Sequence, residues 1–330
     1  MLTVLGPSLQ FPTGAKDPRL ASRMIPLHSN ASNCVCAPAK LNLFLEVRRR
    51  RADGFHEIET VISAINVCDR VSFTATRPRE PINLVCRWAA GLQSSRNSAL
   101  WPPLPPAENN LVHRAVTLLR ERAGAEMGAD IAVVKRIPAE AGLGGASSDA
   151  AAALLAANSA WRLGWNREQL AELSAELGSD IPFFFGAGAA VCAGRGEQIR
   201  AIQAPQLHVV VVKPPAGLAT ATVYQRCRPA DQPRTSVDLQ ECLRRGDAAA
   251  AAAGLFNRLE DPARELSPWI SRLCDEFDRV GCLGRRMSGS GTSYFGVFRN
   301  ARQARRAAGY LRSRNLGAVF SATTIPSAAV

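Results

Sequence analysis

The chain has 330 residues, 47% of them hydrophobic and 6% aromatic, with a formal charge of +12 and a pI near 9.8. That length allows a substantial core in two domains, and no apolar run approaches the roughly 20 residues of a membrane-spanning helix. The charge fits a nucleic-acid or membrane partner or merely an anionic substrate; only four of the 40 basic residues are lysine (Lys16, Lys40, Lys135, Lys213), and the arginines are scattered apart from Arg48 to Arg51, so the excess reads as compositional bias.

Residues 1–32 carry Gly, Pro, Ser and Asn without periodicity and are expected to form a mobile extension. A transit peptide is the alternative, against which stand Asp17 and the lack of an amphipathic arginine-rich helix. From Val35 the alternation of Leu41, Leu43, Leu45 and Val47 with Asn42, Phe44 and Glu46 predicts a strand. A basic turn over 48–54 leads to expected strands at 58–67, 69–75 and 82–88, followed by a proline-rich surface connection over 101–107. Helical spacing covers 110–123, and a short buried strand at 131–137 delivers the chain into a glycine loop.

The alanine-rich stretch after that loop predicts a helix to about 163, and a second helix at 167–177 opens after the cap Asn166 and closes at Gly178. Further on come an expected strand at 207–213, helices at 220–226, 248–253, 255–265 and 268–280, a strand-like run at 282–287, a strand at 292–298 and a helix at 301–314. This order argues for α+β architecture, two two-layer α/β sandwiches each with helices on one face, divided near Ala204 into domains 33–204 and 205–330. Nine cysteines, scattered and without a Cys-x-x-Cys pair or clustered histidines, are expected to be reduced thiols in a cytoplasmic protein with no metal site of their own.

Five segments are locally odd for a plain domain. In the run Ile137 to Asp149, glycines at 142, 144 and 145 allow positive φ and close approach, and the following helix points free amides and its positive dipole end at one spot, which suits phosphate. On this segment alone a serine-capped helix entry with no ligand is an equal reading. Neither a Walker A ending nor a full dinucleotide fingerprint is present. Lys40 and Asn42 share one face of their strand, and Asp53 to Glu57 is a turn presenting Phe55 and His56 side by side. Asp180, just past a helix end and before the apolar run Ile181 to Phe185, is expected to be partly buried. Met287 to Gly291 is a second glycine-serine turn, in the other domain. Two such turns with a lysine and an aspartate point to phosphate held between domains.

Together these segments resemble the GHMP small-molecule kinases, in the family's order from about residue 35 to 300. The Gly54-Phe55-His56-Glu57 turn brings the chain closest to the branch that acts on a cytidine diphosphate-linked methylerythritol in non-mevalonate isoprenoid synthesis. The resemblance implies a GHMP fold, with an N-terminal domain like the second domain of a small-subunit ribosomal protein, a ferredoxin-like C-terminal domain and the active site in the cleft between them. It implies ATP and Mg²⁺, a monomer or weak homodimer, and no nucleic-acid or membrane partner. Lys40 and Asp180 would be catalytic, Asp180 accepting the proton of the substrate hydroxyl while Lys40 keeps it ionised and stabilises developing charge.

By the same resemblance Pro138, Ala139, Glu140, Ala141, Gly142, Leu143, Gly144, Gly145, Ala146, Ser147 and Ser148 would wrap the ATP phosphates, with Lys135 and Asn110 near the nucleoside. His56 would hydrogen-bond the cytosine edge, Phe55 and Tyr224 would flank its ring, Asn42 and Thr220 would lie along the diphosphate-sugar, and Ser288, Gly289, Ser290 and Gly291 would complete the substrate site. Phe55 stands where the family usually has tyrosine, and Glu140 and Ala146 replace common loop glycines; Glu140 is expected to point to solvent. Another small-alcohol kinase of homoserine or mevalonate type is the nearest alternative, and a basic nucleic-acid-binding protein a more distant one.

Overall fold

The computed structural model describes residues 33–93, 99–186 and 188–327, so the extension expected over 1–32 lies outside the described residues. Strand β1 (Asn33–Arg50) turns back into β2 (His56–Pro78), and the two pair antiparallel along nearly their whole length. The two strands expected at 58–67 and 69–75 are thus one. Asp69, the polar residue that marks a break in the pattern, stays in the ladder because its carboxylate is paired below the sheet.

β3 (Ile82–Trp88) and β4 (Met127–Lys135) run parallel, joined through α1 (Leu111–Ala123), whose first turn is capped by the Asn110 side chain accepting from Val112 N. β4 starts before the expected 131 and releases the chain at Lys135. The glycine loop then feeds α2 (Gly145–Ala160), buried along most of its length by alanines that let it lie close to the sheet, and α3 (Arg167–Ala175) opens on an Asn166/Gln169 capping box. β5 (Ala189–Gly194) and β6 (Gln198–Ala201), absent from the sequence reading, extend the first sheet from β2.

The rest of the chain gives β7 (His208–Lys213), α4 (Thr220–Arg226), α5 (Val237–Arg244), α6 (Ala248–Ala253), β8 (Phe256–Asn257), α7 (Glu260–Leu266), α8 (Pro268–Arg279), β9 (Gly284–Met287), β10 (Tyr294–Phe298), α9 (Ala301–Ser313) and β11 (Ala318–Thr323). The first sheet has the order β3-β4-β2-β1-β8 with β5 and β6 branching from β2, and the second has β11-β7-β10-β9. One helix expected over 255–265 divides, because Phe256 and Asn257 pair in parallel with Phe44 and Leu45 of β1 before α7 begins. α5 fills a stretch that reads only as polar. Trp101 is not on a surface connection: it is buried against Trp88, ring centroids 5.0 Å apart, and the Trp88 indole N–H donates to Pro102 O at 2.9 Å.

The two sheets meet in a shared core. Val209 and Val211 of β7, with Phe295 and Val297 of β10, pack with Leu41 and Leu43 of β1, while Val210, Val212 and Tyr294 pack under α8 and α9. β1 reaches both environments through a bulge between Pro38 and Ala39. Val35 and Ala37 lie in the core under α1 to α3, whereas Ala39, Leu41 and Leu43 lie in the shared core. There the register jumps by two, Pro38 pairing with Cys68 but Ala39 with Ile65, so that Asn66 and Val67 of β2 are skipped and Lys40 and Asn42 are left on the side that carries α2.

A buried ion pair also ties the halves together. Arg258 reaches Glu46 with a two-pronged contact, Nε to Oε1 at 2.7 Å and Nη2 to Oε2 at 2.8 Å, and the amide of Arg234 donates to the same carboxylate. Burial pushes the Glu46 pKa upward, but the Arg258 fork and the amides of Arg234 and Val47 outweigh it and hold the carboxyl below the usual range. That stabilisation is present above the ordinary value of 4.5 and is lost as acid protonates Glu46 through its lower folded pKa. Arg258→Met leaves the fully buried Glu46 without its cation and is expected to cost about 3 kcal/mol in urea unfolding near neutral pH; an unchanged midpoint would contradict this role.

Candidate active site

Lys40 is only 5% exposed. Its Nζ donates to Asn42 Oδ1 at 2.7 Å and stands 3.7 Å from Asp180 Oδ2, and Asn42 Nδ2 donates to Thr60 Oγ1 at 2.9 Å. Asp180 is delivered by the turn after α3 and held ahead of the buried turn Pro182–Phe185. Its side chain is 43% exposed, the partial burial that the sequence suggests, and it faces a cavity.

The glycine loop is stitched to β1 and to the C-terminal turn. Lys40 N donates to Leu143 O at 2.9 Å, Ser293 N to Ala141 O at 3.2 Å, and Ser288 Oγ to Gly142 O at 3.0 Å while accepting from Asn42 N at 3.2 Å. Gly142 and Gly144 have φ of +70° and +68°, and a Cβ on Gly142 would lie 2.2 Å from Ser288 O. On Gly144 it would meet the Lys40 side chain at 2.9 Å. Asn257 Nδ2 donates to Met287 O and Gly289 O, both at 2.8 Å, and so holds the second turn from behind. The leading amides of α2 have no partner within the helix and open onto this cradle.

A cavity of about 1060 Å³ collects the motifs. Its wall includes Lys40, Asn42, Phe55, His56, Glu140, Gly142, Gly144 and Ser147 from the first half of the chain and Asp180, Thr220, Tyr224, Gly289, Ser290 and Gly291 from the second. Other residues expected at the site support that wall instead of forming it. Pro138, Ala141, Leu143 and Ser148 are buried, Ala139 packs on the Trp88–Trp101 cluster, Gly145 lies against Ile137, and Ser288 is buried in its two hydrogen bonds. Asn110 spends its side chain on the α1 cap, although its neighbour Leu111 lines the cavity; Ala146 is absent from the wall.

Two placements depart from expectation. Lys135, expected beside a nucleoside, is buried beneath the loop between Asp69 and Asp149. Glu140 is exposed but faces the cavity instead of open solvent, its carboxylate against Gly217 across the cleft.

At the other end of the cavity Phe55 is 55% exposed, with the Arg195 guanidinium 5.1 Å from its ring centroid, and His56 stacks at 5.2 Å on Tyr224. Burial and the nearby Arg50 lower the His56 pKa, which keeps the imidazole neutral at pH 7. Thr220 and Ser290 hydroxyls meet at 2.8 Å, joining α4 to the glycine turn. Lys213 donates to the carbonyls of Pro214 and Ala216, shaping residues 214–219; burial brings its pKa down to about 8 against the opposing pull of Glu140. Arg50, Thr60 and Arg195 on the wall, and Asn257 and Asp69 behind it, were not singled out in the sequence. For Asp69 the available signal was a charge interrupting an apolar strand run.

The glycine cradle fits a polyphosphate, since its close contacts leave room for backbone but not for side chains. Asp180 and Glu140 both line the cavity, and their carboxylates are of the kind that would hold Mg²⁺ beside phosphates.

Comparison with known proteins agrees with this geometry. Residues 110–188 match the GHMP kinase N-terminal domain and residues 239–316 the GHMP kinase C-terminal domain. The chain is 41% identical over 280 residues to a 4-diphosphocytidyl-2-C-methyl-D-erythritol kinase of Pelotomaculum thermopropionicum, covering 84% of this chain and 92% of that one. It is 38% identical over 305 residues to the enzyme of that name from Rhodopirellula baltica, covering 84% and 90%. A crystal structure of a 4-(cytidine 5'-diphospho)-2C-methyl-D-erythritol kinase superposes with a TM-score of 0.72 at 34% identity, covering 89% of this chain and all of the other. A homoserine kinase from Cytophaga hutchinsonii, at 18% identity and a TM-score of 0.68 over 91% and 96% of the two chains, shares the fold.

Gly142→Ala forces a side chain at positive φ into the Ser288 carbonyl. The variant is expected to lose at least tenfold in nucleotide affinity, read by thermal shift against ATP, and wild-type affinity would show that the contact does not shape the loop.

Proposed function

The chain belongs to the 4-diphosphocytidyl-2-C-methyl-D-erythritol kinase family of the GHMP kinases, and from that premise we propose that it phosphorylates the 2-hydroxyl of 4-diphosphocytidyl-2-C-methyl-D-erythritol at the expense of ATP. The observation that carries the assignment is a single cavity joining a phosphate-type glycine loop, a lysine–aspartate pair and a turn bearing Phe55 and His56.

ATP would supply the γ-phosphoryl group, and Mg²⁺, which the cavity carboxylates of Asp180 and Glu140 would hold, would offset charge on its phosphates. The loop amides and the N-terminus of α2 seat the phosphates next to Lys40, whose ammonium stabilises charge on the transferring oxygens. Asp180 accepts the proton of the attacking hydroxyl. Asn42 holds Lys40 Nζ at 2.7 Å, which keeps the ammonium aimed along the loop. The exposed Phe55 ring offers a face to a pyrimidine, and neutral His56 can both donate to and accept from its hydrogen-bonding edge. Thr220 and Ser290 stand between that turn and the loop, where a diphosphate and its sugar must lie. Phe55 keeps stacking without a hydroxyl contact. The reading places the enzyme in the cytoplasm, as a monomer or weak homodimer without nucleic-acid or membrane partners.

Incubation with ATP, Mg²⁺ and the cytidyl substrate is expected to release one ADP per 2-phosphate formed. Asp180→Asn and Lys40→Met should each lower kcat by about 10²-fold or more. A panel including homoserine and mevalonate tests the acceptor: preference for either would overturn the cytidyl assignment, and robust turnover by Asp180→Asn would remove the base.

A further inference from the structure

The glycine loop spans residues 138–144, and both of its ends meet over one buried charge cluster. The Asp69 carboxylate, fully buried in the middle of β2, accepts through Oδ1 from the amides of Arg136 and Ile137, the latter at 2.8 Å. Those are the last two residues before the loop. Its other oxygen contacts Lys135 Nζ, which also reaches Asp149 Oδ2 at 2.5 Å. Asp149 lies in the first turns of α2, just after the loop. A chain of contacts therefore runs from loop entry through Asp69 and Lys135 to loop exit. At the same place a Cβ on Gly145 would lie 3.0 Å from Ile137 Cγ2 and 3.3 Å from Lys135 Nζ, so the start of the helix rests directly on this strap.

We infer that Asp69, Lys135 and Asp149 form a buried strap that fixes the two ends of the phosphate loop relative to each other, making them positioning residues for nucleotide phosphates. The side chains hold backbone and each other, not ligand. Lys135 is 6% exposed, engaged by two carboxylates and absent from the cavity wall, so it holds the loop from below. Two carboxylates share one ammonium, and among the described residues no other cation forms an ion pair with either. Burial, with Asp69 beside it, raises the Asp149 pKa against the pull of Lys135, and Asp149 Oδ1 has no hydrogen-bond partner. Buried charges are costly unless paired and hydrogen-bonded, and here the pairing runs across the two ends of the loop.

The inference rests on the kinase reading only in taking the loop's ligand to be phosphate. It separates from a nucleoside-reading role for Lys135 by two probes that divide ATP between them, inorganic tripolyphosphate and adenosine, each measured as an inhibitor competing with ATP. Asp69→Ala removes the acceptor for both amides and is expected to weaken tripolyphosphate about tenfold while leaving adenosine within twofold. Asp69→Asn keeps an acceptor oxygen at the same place and should recover most of that loss. Lys135→Met combined with Asp149→Leu neutralises the rest of the cluster, leaving Asp69 with its amide contacts, and should show the same selective loss if Asp69→Ala fails to fold. Weakening of adenosine as large as that of tripolyphosphate would overturn the inference in favour of a nucleoside contact. Unchanged tripolyphosphate inhibition in a folded variant would reduce the strap to a stability element. A wild-type protein whose melting temperature ATP does not raise would instead contradict the kinase reading itself.

Discussion

The carbonyl oxygen of Ser288 occupies the place that any side chain on Gly142 would need. That contact joins segments almost 150 residues apart, and the rest of the site is arranged around it. Ser288 Oγ bridges the Asn42 amide and the Gly142 carbonyl, so β1, the phosphate loop and the C-terminal turn meet at one side chain. Asn257 holds that turn from behind, and β8, which carries Asn257, is itself paired to β1. The shared core between the sheets holds the elements that carry these segments against one another.

The electrostatics follow from the same closure. Lys40 is buried where a lone ammonium would be costly, and Asn42 together with nearby Asp180 provides its partners. Its charge and the positive end of α2 converge on one region of the cavity, while Arg50 and Arg195 line the end near Phe55. An anionic ligand therefore meets positive groups at both ends of the cleft, with the carboxylates of Glu140 and Asp180 also on its wall.

The five chemical segments were legible because each depends on local rules: a strand places Lys40 and Asn42 on one face, glycines mark the loop, and Asn166 marks a helix start. What sequence could not show were relations across distance. The irregularity after Pro38 accompanies the change of core that Leu41 enters, yet the two skipped residues, Asn66 and Val67, lie on the partner strand and leave no pattern in β1. Lys135 stood out by rarity, but the carboxylates that bury it come from β2 and α2, and only the folded sheet brings Asp69 beneath the loop. Glu140 reads as a solvent-facing charge until Gly217 is placed opposite it. Trp101 sits in a proline-rich stretch that resembles a surface connection, and its burial depends on Trp88 from a separate strand.

Under the proposed function one cavity seats the donor phosphates and the acceptor hydroxyl together, with Asp180 taking a proton and not a phosphate, and transfer is direct in a ternary complex. Initial rates measured over a grid of ATP and 4-diphosphocytidyl-2-C-methyl-D-erythritol concentrations test this most directly. Double-reciprocal lines that intersect are the expected result. Parallel lines, the mark of a phosphorylated enzyme formed before the acceptor binds, would contradict the account.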